Sequence, residues 1–249
     1  MDVALFVTCL TDTFYPRVGT AVVRVLRHFG CRVHFPTGQT CCGQPAYNSG
    51  FHAEAAALLR RMTAVFAGYE HVVTPSASCA TMVKRHGPAL LADDPAAHAA
   101  ALDLAARTQE FTRFLRDVLH VNIAAHLRLR EPATYHYPCH ARAEYEAADL
   151  RGWLAAAGPP AEPAHPDLCC GFGGLFAVDL PEVSTAMLGD KLDSLRAAGA
   201  SLIISNEAAC TLQLEGGAHR RGLPLRFQHI AEVLAESLGL LPPDGGADA

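Results

Sequence analysis

Short apolar runs alternate with stretches of helical periodicity along the chain. "VALFVTC" is a short apolar run ending at Cys9 and predicts a buried strand. Behind Pro16, "RVGTAVVRVLRHFG" sets Val18, Ala21, Val22, Val25, Leu26 and Phe29 on one face of a helix, with Gly30 as its stop. "CRVHFP" predicts a second strand and "HAEAAALLRRMTAVFAGY" a helix, with Asn48 and Ser49 as candidate caps. "HVVTPSASC" predicts a third strand ending at Cys79, followed by helical "ATMVKRHGPALL" and one or two helices in "DDPAAHAAALDLAARTQEFTRFLRDVL". The order then recurs. "ATYHYPC" predicts a strand ending at Cys139, "AADLRGWLAAAG" a helix, and "EPAHPDLCCG" the approach to a second cysteine pair. "LPEVSTAMLGDKLDSLRAAG" predicts a helix with Pro181 in its first turn, "SLIISNEAAC" a strand ending at Cys210, and "LRFQHIAEVLAESLG" a closing helix resembling "RTQEFTRFLRDVL".

The cysteines turn this recurrence into a register. Cys9 and Cys139, Cys41 and Cys169, and Cys79 and Cys210 stand 130, 128 and 131 positions apart. Three landmarks with nearly one offset indicate an internal duplication. Phe111 and Ile230 are only 119 apart, which places an insertion near Ala89 to Ala106 in the first half. Strands alternating with helices imply parallel pairing through right-handed crossovers. The expected fold is therefore α/β, with two pseudo-symmetric halves. Each is a mostly parallel sheet with flanking helices and a cysteine cluster at the strand C-terminal ends, where such sheets gather ligands. The expected division is 1–128, 129–240 and a disordered tail at 241–249.

Composition narrows the function classes. Half of the 249 residues are hydrophobic, and the net charge is −5 without a basic run, so no nucleic-acid footprint is present. No apolar stretch reaches the roughly 18 residues of a transmembrane segment, and "MDVALFVTCL" does not read as a secretory signal. Nine cysteines on such a chain are expected in a reducing, cytoplasmic setting, where clustered thiols more often bind metal than form disulfides. Neighbours such as Cys41 and Cys42 also sit too close for ordinary disulfide geometry.

Each half thus offers four thiols: Cys9, Cys41, Cys42 and Cys79, then Cys139, Cys169, Cys170 and Cys210. Cys31 has no partner in the repeat, where Ala161 stands at the comparable offset, and reads as a small buried hydrophobe. Four thiolates suit tetrahedral zinc or an iron–sulfur cluster with one cysteine per iron. Adjacent cysteines can serve neighbouring irons, and no compact C-x₂-C zinc spacing occurs. Gly43, Gly171, Gly173 and Gly174 permit tight turns around an inorganic core, with backbone N–H groups free to bond its sulfides.

"CCGQPAYNSG", "PSASCATMV", "YHYPCHARAE", "CCGFGGLF" and "NEAACTLQLEGGAHRRG" resemble the CCG, or cysteine-rich, domain over nearly the whole chain. That domain occurs in heterodisulfide reductase B subunits, in the iron–sulfur subunits of glycolate and anaerobic glycerol-3-phosphate oxidation, and in the lactate utilization protein A (LutA/YkgE) family, to which the motifs are most similar. The resemblance implies an iron–sulfur subunit of a complex that oxidises L-lactate to pyruvate. The implied partners are a LutB-like ferredoxin-type iron–sulfur subunit and a LutC-like subunit. The implied ligands are the eight repeat-matched cysteines, holding one or two clusters, expected as 4Fe–4S.

The sequence departs from the fullest pattern, which ends in Cys-x-x-Cys. Met82 and Gln213 occupy the last positions, leaving four thiolates per half and zinc open in one half. Tyr137 also replaces the acidic residue often found before the proline of "YPCH". Two rival functions remain: a heterodisulfide-reductase-like or glycolate-oxidase-like redox subunit, and a zinc-stabilised assembly module without enzymatic activity. His136 and His140 flank Cys139 and either serve a cluster or are satisfied by backbone. Arg142, Glu144 and Glu207 read as solvated or paired surface charges near the rims. No dinucleotide fingerprint or catalytic acid–base pair stands out.

Overall fold

The computed structural model describes residues 1–143, 152–155 and 161–243. Two parallel sheets form its frame. The first has the order β2-β1-β3-β4, built from β1 (Asp2–Leu5), β2 (Arg32–His34), β3 (His71–Thr74) and β4 (Thr108–Glu110). The second has the order β5-β6-β7, built from β5 (Ala133–Tyr135), β6 (Leu202–Ser205) and β7 (Arg226–His229). All neighbours pair in parallel. The α/β class and the repeated halves follow the alternation of the sequence.

Side-chain alternation divides the core into three parts. Val3 and Leu5 of β1, Ala133 and Tyr135 of β5, and Leu202 and Ile204 of β6 face one central cluster that draws on both halves. There the helix Pro16–His28 packs on the helix Ile230–Ser237, and Cys31 is buried among the apolar side chains. Ala4, Phe6 and Val72 face outward, under the helices His52–Val65 and Pro95–Arg107. Ile203 does the same in the second half, under the helices Pro181–Ala197 and Ala208–Arg220.

Several elements differ from the sequence-based expectation. β4 and β7 begin stretches read as wholly helical; "TQE" and "RFQH" are too short and polar to register as strands, yet each pairs as an edge strand of its sheet. Residues 161–170 form no strand before the second cysteine pair, so that pair lacks a counterpart of β2. "ATMVKRHGPALL" divides into the helix Ala77–Thr81, a π-helical turn Met82–His86 and the helix Gly87–Leu90. Pro88 has no N–H to continue the regular ladder, which accounts for the changed pitch. Asn48 ends the helix Gln44–Asn48 and Ser49 caps its C-terminus, whereas Phe51 begins the helix His52–Val65. The inserted helix of the first half is Pro95–Arg107; β7 follows soon after Arg220 in the second. Of the helix expected in "AADLRGWLAAAG", only 152–155 are described, and residues 244–249 of the tail lie outside the described residues.

A buried carboxyl group gives the fold a pH dependence. Glu110 is fully buried and caps the helix Phe111–Asp117, accepting from the Thr112 and Arg113 N–H groups at 2.9 and 3.2 Å. Burial pushes its pKa up from 4.5 to about 7, against the bonds from Thr112 and Arg113. Between these values the folded chain retains a proton that the unfolded chain releases, so this group's stabilisation is complete below about 4.5 and is lost as pH rises through about 7. Glu110→Gln keeps an acceptor but cannot ionise. We expect it to remove a fall of roughly 3 kcal/mol from the stability–pH profile across that window. Denaturant titrations across that window check this; identical slopes for variant and wild type would refute it.

Candidate metal centres

Each repeat-matched cysteine lies beyond the carboxyl end of its sheet, and none is part of a strand. Cys9 opens the helix Cys9–Phe14, and Cys139 opens the 3₁₀ turn Cys139–Ala143. Cys79 and Cys210 stand in the first turns of the helices Ala77–Thr81 and Ala208–Arg220. Helix starts present unpaired N–H groups and favour thiolates. The two cysteine pairs occupy loops that turn at Gly43 and Gly171, with φ of 87° and 82°.

The two sets repeat each other atom for atom. Cys42 Sγ stands 3.2 Å from Cys79 Sγ, and Cys170 Sγ 3.0 Å from Cys210 Sγ. These separations exceed a sulfur–sulfur bond of about 2.05 Å, and all nine cysteines are free. The N–H groups of Gly43 and Gly171 donate to Cys41 Sγ and Cys169 Sγ, each at 3.4 Å. Exposure repeats too: Cys9 and Cys139 are exposed, Cys41 and Cys169 half-buried, and the other four buried.

The thiols share protons unequally, again in the same pattern. Cys41 is pulled down to about 3, chiefly by the bond from Cys42 and then by that from Cys9. Cys169 is pulled far below its ordinary value by Cys139 and then Cys170. Cys9 and Cys139 are pushed up, first because they donate to Cys41 and Cys169 and then by burial. Cys42 and Cys170 rise for the same reasons. Each set therefore places one acidified thiol among thiol donors, and a metal taking all four would displace their protons.

All eight cysteines line one cavity. Its volume of about 110 Å³ exceeds several times the ~30 Å³ share of one water. The sequence had assigned each half its own rim; the fold turns both rims toward one space. Four sulfurs per half, two of them buried, fit a metal or an iron–sulfur cluster.

The cysteine-rich domain family, CCG, matches this chain twice, over residues 3–84 and 133–215. Lactate utilization protein A of Exiguobacterium sp. is 43% identical over 250 residues, covering 95% of this chain and 98% of the relative. Lactate utilization protein A of Geobacillus kaustophilus is 45% identical over 240 residues, covering 94% and 98%. This chain belongs to the lactate utilization protein A family.

In this family member, further residues join the site that sequence reasoning passed over. Glu207 is no surface charge: it is buried and caps the helix that carries Cys210, as Ser76 caps the helix that carries Cys79. The two caps meet, with Ser76 Oγ donating to Glu207 at 3.0 Å and Ser78 N–H at 2.8 Å. Equivalent positions in contact mark the pseudo-twofold axis between the halves. Burial pushes the Glu207 pKa up against those bonds. A strand-end residue followed by a helix was the available signal, but its role appears only when both halves are assembled.

His140 lies on the cavity wall, with Nδ1 3.5 Å from Cys139 Sγ and Nε2 3.2 Å from Gln44 Nε2. His136 is fully buried, with neither ring nitrogen hydrogen-bonded. A ligand atom of its ring and the sulfurs of Cys170 and Cys210 lie within 4.8 Å of one another. The reading of His136 as a backbone-satisfied ring is therefore not met. Burial drives its pKa down to about 3, with Lys191 adding to the effect. Arg142 is partly exposed, donates to the Asp167 carbonyl and lies 5.8 Å over the Tyr137 ring. Glu144 lies outside the described residues. Met82 is buried in the outer core, and Gln213 donates to Ser184 Oγ at 3.0 Å; neither replaces the missing fifth thiolate.

Proposed function

We propose that this chain is an iron–sulfur electron-transfer subunit in the oxidation of L-lactate to pyruvate. The observation that carries the proposal is the pair of matching four-thiol sets on one cavity. Cys9, Cys41, Cys42 and Cys79 would hold one cluster, and Cys139, Cys169, Cys170 and Cys210 the other. The expected type is 4Fe–4S, within repeats spanning 1–128 and 129–240. An iron–sulfur cluster supplies reversible one-electron storage when bound.

The chain's own atoms supply the rest. Gly43 and Gly171 offer N–H groups to sulfur, the buried thiols exclude water on one side, and Cys9 and Cys139 face the solvent, where a partner can approach. Lactate oxidation releases two electrons and two protons, so one-electron carriers must take the electrons singly. The chain offers no nicotinamide or flavin fingerprint, and the proposed complex includes LutB-like and LutC-like partners. The family's name supports lactate as the substrate. Among the described residues no helix is long and apolar enough to cross a membrane; the location proposed with this function is cytoplasmic.

A second reading places zinc in the second half, favoured by the proximity of His136, Cys170 and Cys210. One experiment separates the two. We expect chain purified without oxygen to carry iron and acid-labile sulfide, and the assembled complex to reduce these centres with L-lactate in preference to glycolate. Zinc without iron in the second half would favour the second reading there. Absence of iron and sulfide altogether would refute electron transfer.

A further inference from the structure

The two four-thiol sets are alike in their sulfurs and unlike in what stands behind them. Phe6 and His136 are equivalent: each follows its strand and donates its N–H across the sheet, to the carbonyls of Val73 and Ile204, at 2.9 Å. Alternation turns both side chains toward the outer helix of their half. That helix has a fixed register, because Gly43 lies against Ala55 as Gly171 lies against Ser184. The same register sets Lys191 at the position of Met62. Both pairs are fully buried. The first half therefore backs its sulfurs with Phe6 and Met62, and the second with His136 and Lys191.

These polar groups lack ordinary partners. Neither ring nitrogen of His136 is hydrogen-bonded. Lys191 Nζ donates to the Pro166 carbonyl at 3.0 Å and makes no ion pair among the described residues. Cys170 and Cys210 are close enough to act on it electrostatically. A buried imidazole and ammonium beside thiols, with no carboxylate in ion-pair contact among the described residues and Asp167 acting on the ammonium only from farther off, fit an anionic group held at those thiols.

We infer that His136 and Lys191 form a cationic, hydrogen-bonding backing that gives the second-half centre the more positive reduction potential, making it the electron-accepting member of the pair. The inference rests on the proposal that both halves hold iron–sulfur clusters. Reduction adds one negative charge to a cluster. A buried cation and an N–H donor stabilise that charge, more strongly in a low-dielectric interior than in water. Phe6 and Met62 offer no such help.

The test is an anaerobic potentiometric titration of the full iron-loaded chain, followed by electron paramagnetic resonance. Cys41→Ala leaves the second-half centre, and Cys169→Ala the first. The centre left in Cys41→Ala should titrate at the more positive potential. His136→Phe and Lys191→Met write the first half's residues into the second, and each should shift that midpoint negative while leaving the other in place. His136→Gln and Lys191→Arg preserve the donor or the charge and should hold the midpoint near that of wild type, which separates tuning from loss of structure. Equal potentials, a reversed order, or midpoints indifferent to both apolar substitutions would overturn the inference and leave electron transfer standing. Wild-type chain without iron and sulfide would overturn both.

Discussion

Cys169→Ala is expected to lose the iron and sulfide of the second half and retain those of the first, with Cys41→Ala giving the reverse. Each substitution removes the thiol most strongly held as a thiolate, the one that already accepts from its neighbours and from a glycine N–H. Loss of a ligand should exceed the 10–100-fold cost typical of removing a residue behind one. Iron per chain should fall to about half in each single variant and to near zero in the double variant, because on the proposed assignment each half binds through its own four deprotonated donors. Cys31→Ala is the control. Cys31 is buried in the central core, away from the cavity lining, so its loss should cost stability of about 1 kcal/mol and no iron. Anaerobic iron and sulfide analysis reads all four proteins. Complete loss from either single variant would mean one centre shared across the cavity, whereas full retention would remove Cys41 and Cys169 from the ligand set.

The sequence carries the repeat well because thiols are rare landmarks and their offsets survive changes elsewhere. It carries the strand–helix order wherever an element is apolar and several residues long, as for β1, β3 and β6. It fails at β4 and β7, whose polar residues are buried by their place in the sheet and by nothing in their own pattern. It also fails wherever position depends on the second half meeting the first. Glu207 reads as a surface charge until Ser76 and Ser78 bond to it across the axis. The shared cavity has no local signature, since each rim is legible alone and their facing is not. His136 stands next to a recognisable motif, but its contrast with Phe6 needs the alternation of a strand whose register is known. Lys191 looks like any charge on a long helix; only the packing of that helix against Gly171 turns it inward.

That packing can be tested through Gly171. A Cβ placed there would lie 2.6 Å from the Ser184 carbonyl oxygen, a backbone atom in the first turns of the helix Pro181–Ala197, and 3.2 Å from Met187 Cβ. The residue also holds φ at +82°, a left-handed conformation that a non-glycine residue adopts at a cost of roughly 1–2 kcal/mol. Gly199 separates the two effects, because it holds φ at +74° with nothing within 4 Å of an added Cβ. Gly199→Ala should therefore pay only the conformational cost, about 1 kcal/mol. Gly171→Ala adds overpacking, typically 1–3 kcal/mol, and should come out near 3 kcal/mol or more. Gly43→Ala is expected between them, with its nearest backbone atoms at 3.3 Å. The overlap at Gly171 can be relieved only by moving the helix or the cysteine loop, and the loop holds Cys169 through the Gly171 N–H. Gly171→Ala should thus weaken iron retention in the second half as well as lower the denaturant midpoint, with Gly199→Ala affecting the midpoint alone. If the two variants unfold at the same denaturant concentration, the close approach of loop and helix does not hold in solution, and the inward placement of Lys191 loses its support.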